Sequence, residues 1–341
     1  MAEFLRSTWQ SQTSDLITAL AWSPDGTSWA LSSADGQVAW MEIGTDAEEL
    51  VVLRAASGNS IDRLKFSADG NWLAASGQAG EVYLWDCEIS KPRLAKTIKL
   101  HTWISQLTWH PTLPHLAIAH DTHIKIWDAH TSQDIVTWKS DKSSTADLAW
   151  HPSGEYLAIA GNKGVAIWTN YGQVLPSLSL HVDTASLQIA WSPDGRYLAC
   201  GNFDRSLSIM DLDRPTDPWI LQGCPGKIRQ LDWLCHSTQP CLIVATGAAV
   251  VQWSLIGNEW VGQLMEGHQG SVTAVVACRD RQMFVSAATD NHACLWFATG
   301  EVAQIITSQN GEFTALAWHP ADLWLVTGTR SGSIELWRCP A

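Results

Sequence analysis

Tryptophan returns along this chain at two fixed phases, and that recurrence limits the possible folds more than any other feature. In the first series a short apolar run ends in an aromatic residue and then a turn. It reads Leu20-Ala21-Trp22-Ser23-Pro24-Asp25-Gly26, Leu64-Lys65-Phe66-Ser67-Ala68-Asp69-Gly70, Trp109-His110-Pro111, Trp150-His151-Pro152-Ser153-Gly154 and Trp191-Ser192-Pro193-Asp194-Gly195. Weaker copies end at Trp233 and Ala277, and the last is Trp318-His319-Pro320. Successive members lie 44, 43, 41, 41, 42, 44 and 41 residues apart. A second series trails the first by about 18 residues. Its members are Trp40-Met41-Glu42, Trp85-Asp86, Trp127-Asp128, Trp168-Thr169, Met210-Asp211, Trp253-Ser254, Trp296-Phe297 and Trp337-Arg338. Two series in step, eight times over, mean one structural unit built eight times.

Each unit reads as strands. Apolar and polar residues alternate in runs of four to seven, broken by Gly, Pro, Asp or Asn. Val82-Tyr83-Leu84-Trp85 and Ile124-Lys125-Ile126-Trp127 have the period of half-buried antiparallel strands. Ser-Pro-Asp-Gly is turn chemistry, because Pro fixes one φ and Gly accepts a positive one. No stretch has a sustained 3.6-residue period, so helix should be nearly absent. Three inner strands per unit are followed by a fourth, such as Leu50-Val51-Val52-Leu53 or Asp134-Ile135-Val136-Thr137-Trp138.

A period of 40 to 45 residues with a Trp-Asp signature resembles the WD40 repeat family, over the whole chain. The expected fold is all-β: an eight-bladed propeller of four-stranded antiparallel blades, as a single unit over 1–341. Its repeat cores are expected at about 16–43, 60–86, 103–129, 145–170, 185–212, 227–255, 271–298 and 313–338. The eighth unit ends its third strand at Trp337 with too few residues left for a fourth. Residues 3–9, with Phe4, Leu5 and Trp9, are therefore expected to supply the outer strand of the last blade and close the ring. The Ser-Pro-Asp-Gly turns and short loops look like those of compact bacterial members.

Composition narrows the function classes. Hydrophobic residues make up 46% and charged ones 16%, which fits a large core and excludes a disordered chain. With 34 acidic against 21 basic side chains, the formal charge of -13 disfavours nucleic acid and anionic bilayers as partners. No apolar run has the length of a membrane span, and the first residues lack the pattern of a signal peptide. A cytoplasmic protein is expected. The eight cysteines contain no C-x-x-C pair and read as buried free thiols.

The resemblance also implies site residues. A blade of the family is stiffened by a hydrogen-bonded His–Ser/Thr–Asp–Trp tetrad, and only the seventh unit matches in full, with His268, Ser286, Asp290 and Trp296. A Ser-His-Asp hydrolase triad is the sharper reading of the same residues, but nothing suggests an oxyanion hole. The turn Asp recurs as Asp35, Asp121 and Asp204, and is replaced by Ala79, Asn162, Gly247 and Ser331 in units 2, 4, 6 and 8. Family members often make partner contacts beside the turn Asp and at the start of the first strand. Those positions hold Trp103, Phe203, Arg205, Arg330, Asn59, Lys163 and His120. The basic residues Lys163, Arg205, Lys227 and Arg330 would suit an acidic partner segment.

Strand direction places His101, His120 and His123, with Asp121, at one end of their unit, and His110, His115 and His130 at the other. The first group offers nitrogen and oxygen ligands for Zn²⁺ or a similar ion, although in no compact motif. Phosphate-loop, zinc-protease and nucleophile-elbow motifs are absent, and no insertion is long enough for a lid. The expectation is a non-enzymatic scaffold, without cofactor, that presents a rigid face to another protein or peptide. A metal-handling protein is the alternative reading, and a propeller enzyme the weaker one.

Overall fold

The structure is a computed structural model, and it describes residues 4–44, 49–88, 91–140, 143–169, 175–234, 239–279, 281–321 and 323–339. Eight four-stranded antiparallel sheets follow one another along the chain. Blade one, for example, is Ile17–Trp22, Ser28–Ser33, Val38–Glu42 and Val51–Arg54. The first strands of successive blades line a central channel, and each fourth strand faces outward. No helix occurs among the described residues, so none is long and apolar enough to cross a membrane.

The ring closes through the eighth sheet. There Arg6–Gln12 pairs antiparallel with Ser333–Arg338, with partners from Arg6↔Arg338 to Gln12↔Ser333. The closing strand thus begins and ends three residues later than the 3–9 expected from sequence, and Glu3 lies outside the described residues. The cause is what Phe4 and Leu5 do. Leu5 is fully buried, its N–H donates to Gln304 Oε1 at 2.7 Å, and its carbonyl accepts from Gln304 Nε2 at 2.9 Å. Phe4 packs edge-on against Phe297 at 5.5 Å. These two residues fasten the chain to blade seven before it pairs with blade eight.

The core is not central. Among the described residues, the buried apolar side chains form eight clusters, one at each interface between neighbouring blades. A twisted sheet covers only half of itself, so each blade buries its faces against its two neighbours. Trp29 and Trp85, each 1% exposed, lie in two of these seams, where they bury large apolar rings against the neighbouring blade. The seven described cysteines are free and six are buried. Burial raises the Cys87 thiol to about 12 and Cys224 to about 11, which keeps both protonated. Cys235 lies outside the described residues.

Hydrogen bonds reinforce the seams. The indole N–H of the aromatic ending a first strand donates to a first-strand carbonyl of the preceding blade: Trp22 to Ala317 at 3.0 Å, Trp109 to Lys65 at 3.0 Å, Trp191 to Ala149 at 3.2 Å and Trp233 to Ala190 at 3.1 Å. The Trp-His-Pro turns work in the other direction. His110, His151 and His319 direct Nε2 at the carbonyls of Gly154, Gly195 and Gly26 in the next blade, at 3.1, 2.8 and 3.1 Å. A Cβ on Gly195 would lie 2.2 Å from His151 Nε2, at a residue whose φ is +77°.

Two outcomes test this architecture. Deleting residues 1–12 should expose the edge of Ser333–Arg338 and the pocket filled by Leu5, lowering the Tm by several degrees in calorimetry; an unchanged Tm would show that ring closure contributes nothing. Gly195→Ala should cost about 2 kcal/mol in urea unfolding, since both backbone and His151 must shift.

Candidate functional site

Because strands alternate in direction, the turns between second and third strands share one face of the ring with the connections that lead into each first strand. We call this the upper face. Trp103 lies just before Ile104–Trp109 in blade three, and His120 and Asp121 lie at the turn of the same blade. Lys163 sits in the blade-four turn, Phe203 and Arg205 in that of blade five, Arg330 in that of blade eight, and Asn59 ahead of blade two. All seven partner candidates therefore belong to one face, though to different blades.

Two of them stand out physically. Trp103 and Phe203 are 57% and 58% exposed, which is unfavourable for large aromatic surfaces. Phe203 is held there by a buried polar network. Ser186 Oγ donates to Asn202 Oδ1 at 2.8 Å, and Asn202 Nδ2 donates to Ser206 Oγ at 3.0 Å and Ser208 Oγ at 2.9 Å. Asp204 Oδ1 then accepts from the Ser206 hydroxyl at 2.6 Å and its N–H at 3.0 Å, and the Phe203 N–H donates to Ala185 O at 2.9 Å. The ammonium of Lys227 lies 5.6 Å from the Phe203 ring centroid. Lys163, Arg205 and Asn59 are exposed, and Lys163 and Arg205 have positive φ. Arg330 is exposed but pairs with Glu312 at 3.2 Å.

The blade-seven tetrad assembles as one chain of hydrogen bonds. Trp296 Nε1 donates to Ser286 Oγ at 2.7 Å, the Ser286 hydroxyl is 2.7 Å from His268 Nε2, and His268 Nδ1 is 3.2 Å from Asp290 Oδ2. Burial pushes His268 below the ordinary imidazole range despite the attraction of Asp290, so the ring is neutral and donates from Nδ1. Ser286 is fully buried and its oxygen is already engaged by an indole, so no substrate reaches it. The second-strand position equivalent to Ser286 in the other blades shows how they do without the tetrad. Blade eight has Thr327, which accepts from Trp337 Nε1 at 3.1 Å, and the remaining blades put Leu31, Ala75, Ile118, Ile159, Cys200 and Val244 there. Apolar packing replaces the bond.

The metal candidates do not assemble. His120 and His123 pair across their hairpin and their rings stack at 5.8 Å, but His101 and Asp121 do not complete a ligand set with them. Among the described residues no group of three or more His, Cys, Asp and Glu side chains is placed to hold an ion. The geometry explains this: side chains that pair across a hairpin stand side by side, and here the imidazole faces meet rather than their nitrogens.

Sequence reasoning missed the channel. Its cavity of about 460 Å³ is lined by the first strands and includes Arg63, Lys65, Asp147 and Gln230. Burial raises Asp147 and Asp232 to about 6 and lowers Lys65, which reaches into water while surrounded by protein. Both carboxylates bridge blades: Asp147 accepts from Ile189 N at 2.9 Å and Asp232 from Ala277 N at 2.8 Å. The available signal was an acid inside an otherwise apolar strand, as in Leu231-Asp232-Trp233.

His268→Ala should destabilise the protein by roughly 1–3 kcal/mol, because Ser286 and Asp290 lose a buried partner. Its folded-state pKa lies below the ordinary 6.5. The stabilisation it provides is therefore complete above pH 6.5 and is lost as pH falls through the folded value. Tm measured between pH 7.5 and 5 should decline less in the variant than in the parent. Parallel curves would rule out this histidine as a contributor to the acid sensitivity.

Known proteins resemble this architecture. Residues 8–171 match the family described as Nucleolar protein 10-like, N-terminal domain, and residues 172–211, 260–296 and 300–338 match the WD domain, G-beta repeat. Pre-mRNA-processing factor 19 homolog 2 of Arabidopsis thaliana is 34% identical over 84 residues, which are 24% of this chain and only 16% of that protein. The crystal structure of Chaetomium thermophilum Sqt1 has a TM-score of 0.82 at 16% identity, covering 95% of each chain. Nothing in these matches marks the short loops as bacterial. The chain has a WD40-type β-propeller fold.

Proposed function

We propose that this protein is an interaction scaffold whose upper face docks an extended segment or loop of a partner protein. The observation that carries the reading is the pair of exposed aromatics on the same face, Trp103 at the head of a first strand and Phe203 in a turn held from within. Interface energy concentrates in such aromatic and arginine anchors, and surfaces held in place before binding lose little entropy on docking. Arg205 in the same turn and Lys227 beside the ring add positive charge at Phe203, so the part of the partner over blades five and six is acidic. We place this activity in the cytoplasm.

The triple change Trp103, Phe203 and Arg330 to Ala leaves the strand framework intact, because all three lie outside the strands. It should weaken capture of the main partner, identified by affinity purification and mass spectrometry, at least about tenfold, or about 1.4 kcal/mol. Undiminished capture by the folded triple variant, with loss on changing His115 and His130 of the opposite face, would move the site there.

A further inference from the structure

A recess of about 330 Å³ opens on the upper face between blades three and four, lined by Thr102, Trp103, Ser105, Asp121, Ser144 and Thr145 among others. Its chemistry is one-sided. The Trp103 ring offers an electron-rich face, and Asp121 brings an exposed carboxylate. Ser105 Oγ donates to Ala119 O at 3.3 Å, which leaves its lone pairs available. Thr145 is only 5% exposed, yet its hydroxyl has no hydrogen-bond partner. A buried polar group left unpaired costs stability, so a donor brought to the recess beside it would be favoured. The carboxylate and the hydroxyls on this wall can all accept, the indole offers its ring face, and none of the described groups carries a positive charge. His120, next to Asp121, is pushed by burial below the ordinary imidazole range and does not neutralise the carboxylate.

We infer that this recess is a subsite for an arginine side chain of the docked partner segment. The inference rests on the upper-face reading above. A guanidinium is a planar, weakly hydrated cation with five N–H donors. It stacks on an indole while its edges reach a carboxylate and several hydroxyls. Asp121 supplies the counter-charge, and Thr145 Oγ1 and Ser105 Oγ accept the remaining N–H groups. A carboxylate or phosphate would meet the Asp121 charge and the negative face of the indole, and an apolar side chain would leave Thr145 unpaired. The chain's formal charge of -13 draws a cationic segment toward it. With positive charge around Phe203, the face then sets a register: arginine over blades three and four, acidic residues over blades five and six.

The test uses the full isotope-labelled chain and three probes: argininamide, lysinamide and the neutral isostere citrullinamide. Backbone amide shifts of residues 102–105, 121 and 143–145 are followed by NMR. Argininamide should give saturable shifts there with at least tenfold higher affinity than citrullinamide and with higher affinity than lysinamide. Asp121→Asn should reduce that affinity about tenfold, and Thr145→Val should reduce it several-fold, with shifts elsewhere in the spectrum unchanged to show that the fold persists. Equal response to citrullinamide, undiminished binding by Asp121→Asn, or lysinamide binding as tightly as argininamide would overturn the assignment. The titration reads the recess alone. If it fails while the Trp103, Phe203 and Arg330 variant still loses partner capture, the docking face stands without its arginine. If argininamide binds while capture is undiminished, the recess is a cation site and the docking face falls.

Discussion

The contact between the first strands of adjacent blades is the constraint on which the rest of this structure depends. Every first strand carries a register irregularity after its first residue, as between Ile17 and Ala19 or Thr145 and Asp147. Such a bulge frees one residue from pairing and sharpens the local twist. In blades one, seven and eight that residue is Thr18, Thr273 or Thr314, and its hydroxyl donates to the next blade's first strand, at Ile61 O, Phe313 O (3.4 Å) and Ile17 O (2.6 Å). Indoles, the Gln106 amide and the Asp147 and Asp232 carboxylates serve the other seams. Each of the eight interfaces thus has a polar bond at its inner edge and an apolar cluster behind it. A blade that drifted outward would break both together.

This arrangement decides where function can sit. The channel carboxylates Asp147 and Asp232 are committed to backbone N–H groups of the next blade, and the blade-seven hydroxyl to an indole and an imidazole. What remains are the turns, whose backbones are fixed by side-chain bonds of their own. In blade five, Asn202, Asp204, Ser206 and Ser208 all serve to hold the loop that displays Phe203. Rigid display is the useful property of a docking surface, because a partner meets anchors already in position.

How much of this was legible in the sequence follows from the range of each interaction. Strands, blade count and ring closure were readable because aromatic period and alternation are local and repeat. The tetrad was readable because its members fall at family spacings. The closing strand was misplaced by three residues because Phe4 and Leu5 look like strand residues, whereas burial against blade seven takes them out of the sheet. The histidine seams were opaque for a different reason. His151 bonds a glycine carbonyl 44 residues away, and a carbonyl leaves no trace in a sequence. Thr145 was opaque as well, since a hydroxyl without a partner is a property of space and not of spacing.

Near-symmetry of the backbone makes the departures from it informative. A turn Asp is absent from blades two, four, six and eight, and polar tetrad residues are absent from most second strands, yet those blades keep their places through packing at the seams. Once the seams hold the ring, the upper turns are released from a purely structural role and their side chains can differ from blade to blade. The result is a face on which an acid-lined recess and an aromatic flanked by cations sit in separate blades, joined through bonded and packed seams. A partner that satisfied one site in the wrong orientation would bring its own charges against like charges at the other. Discrimination on such a surface comes from the fixed distance between two unlike sites, and the ring closure by Arg6–Gln12 is what fixes it.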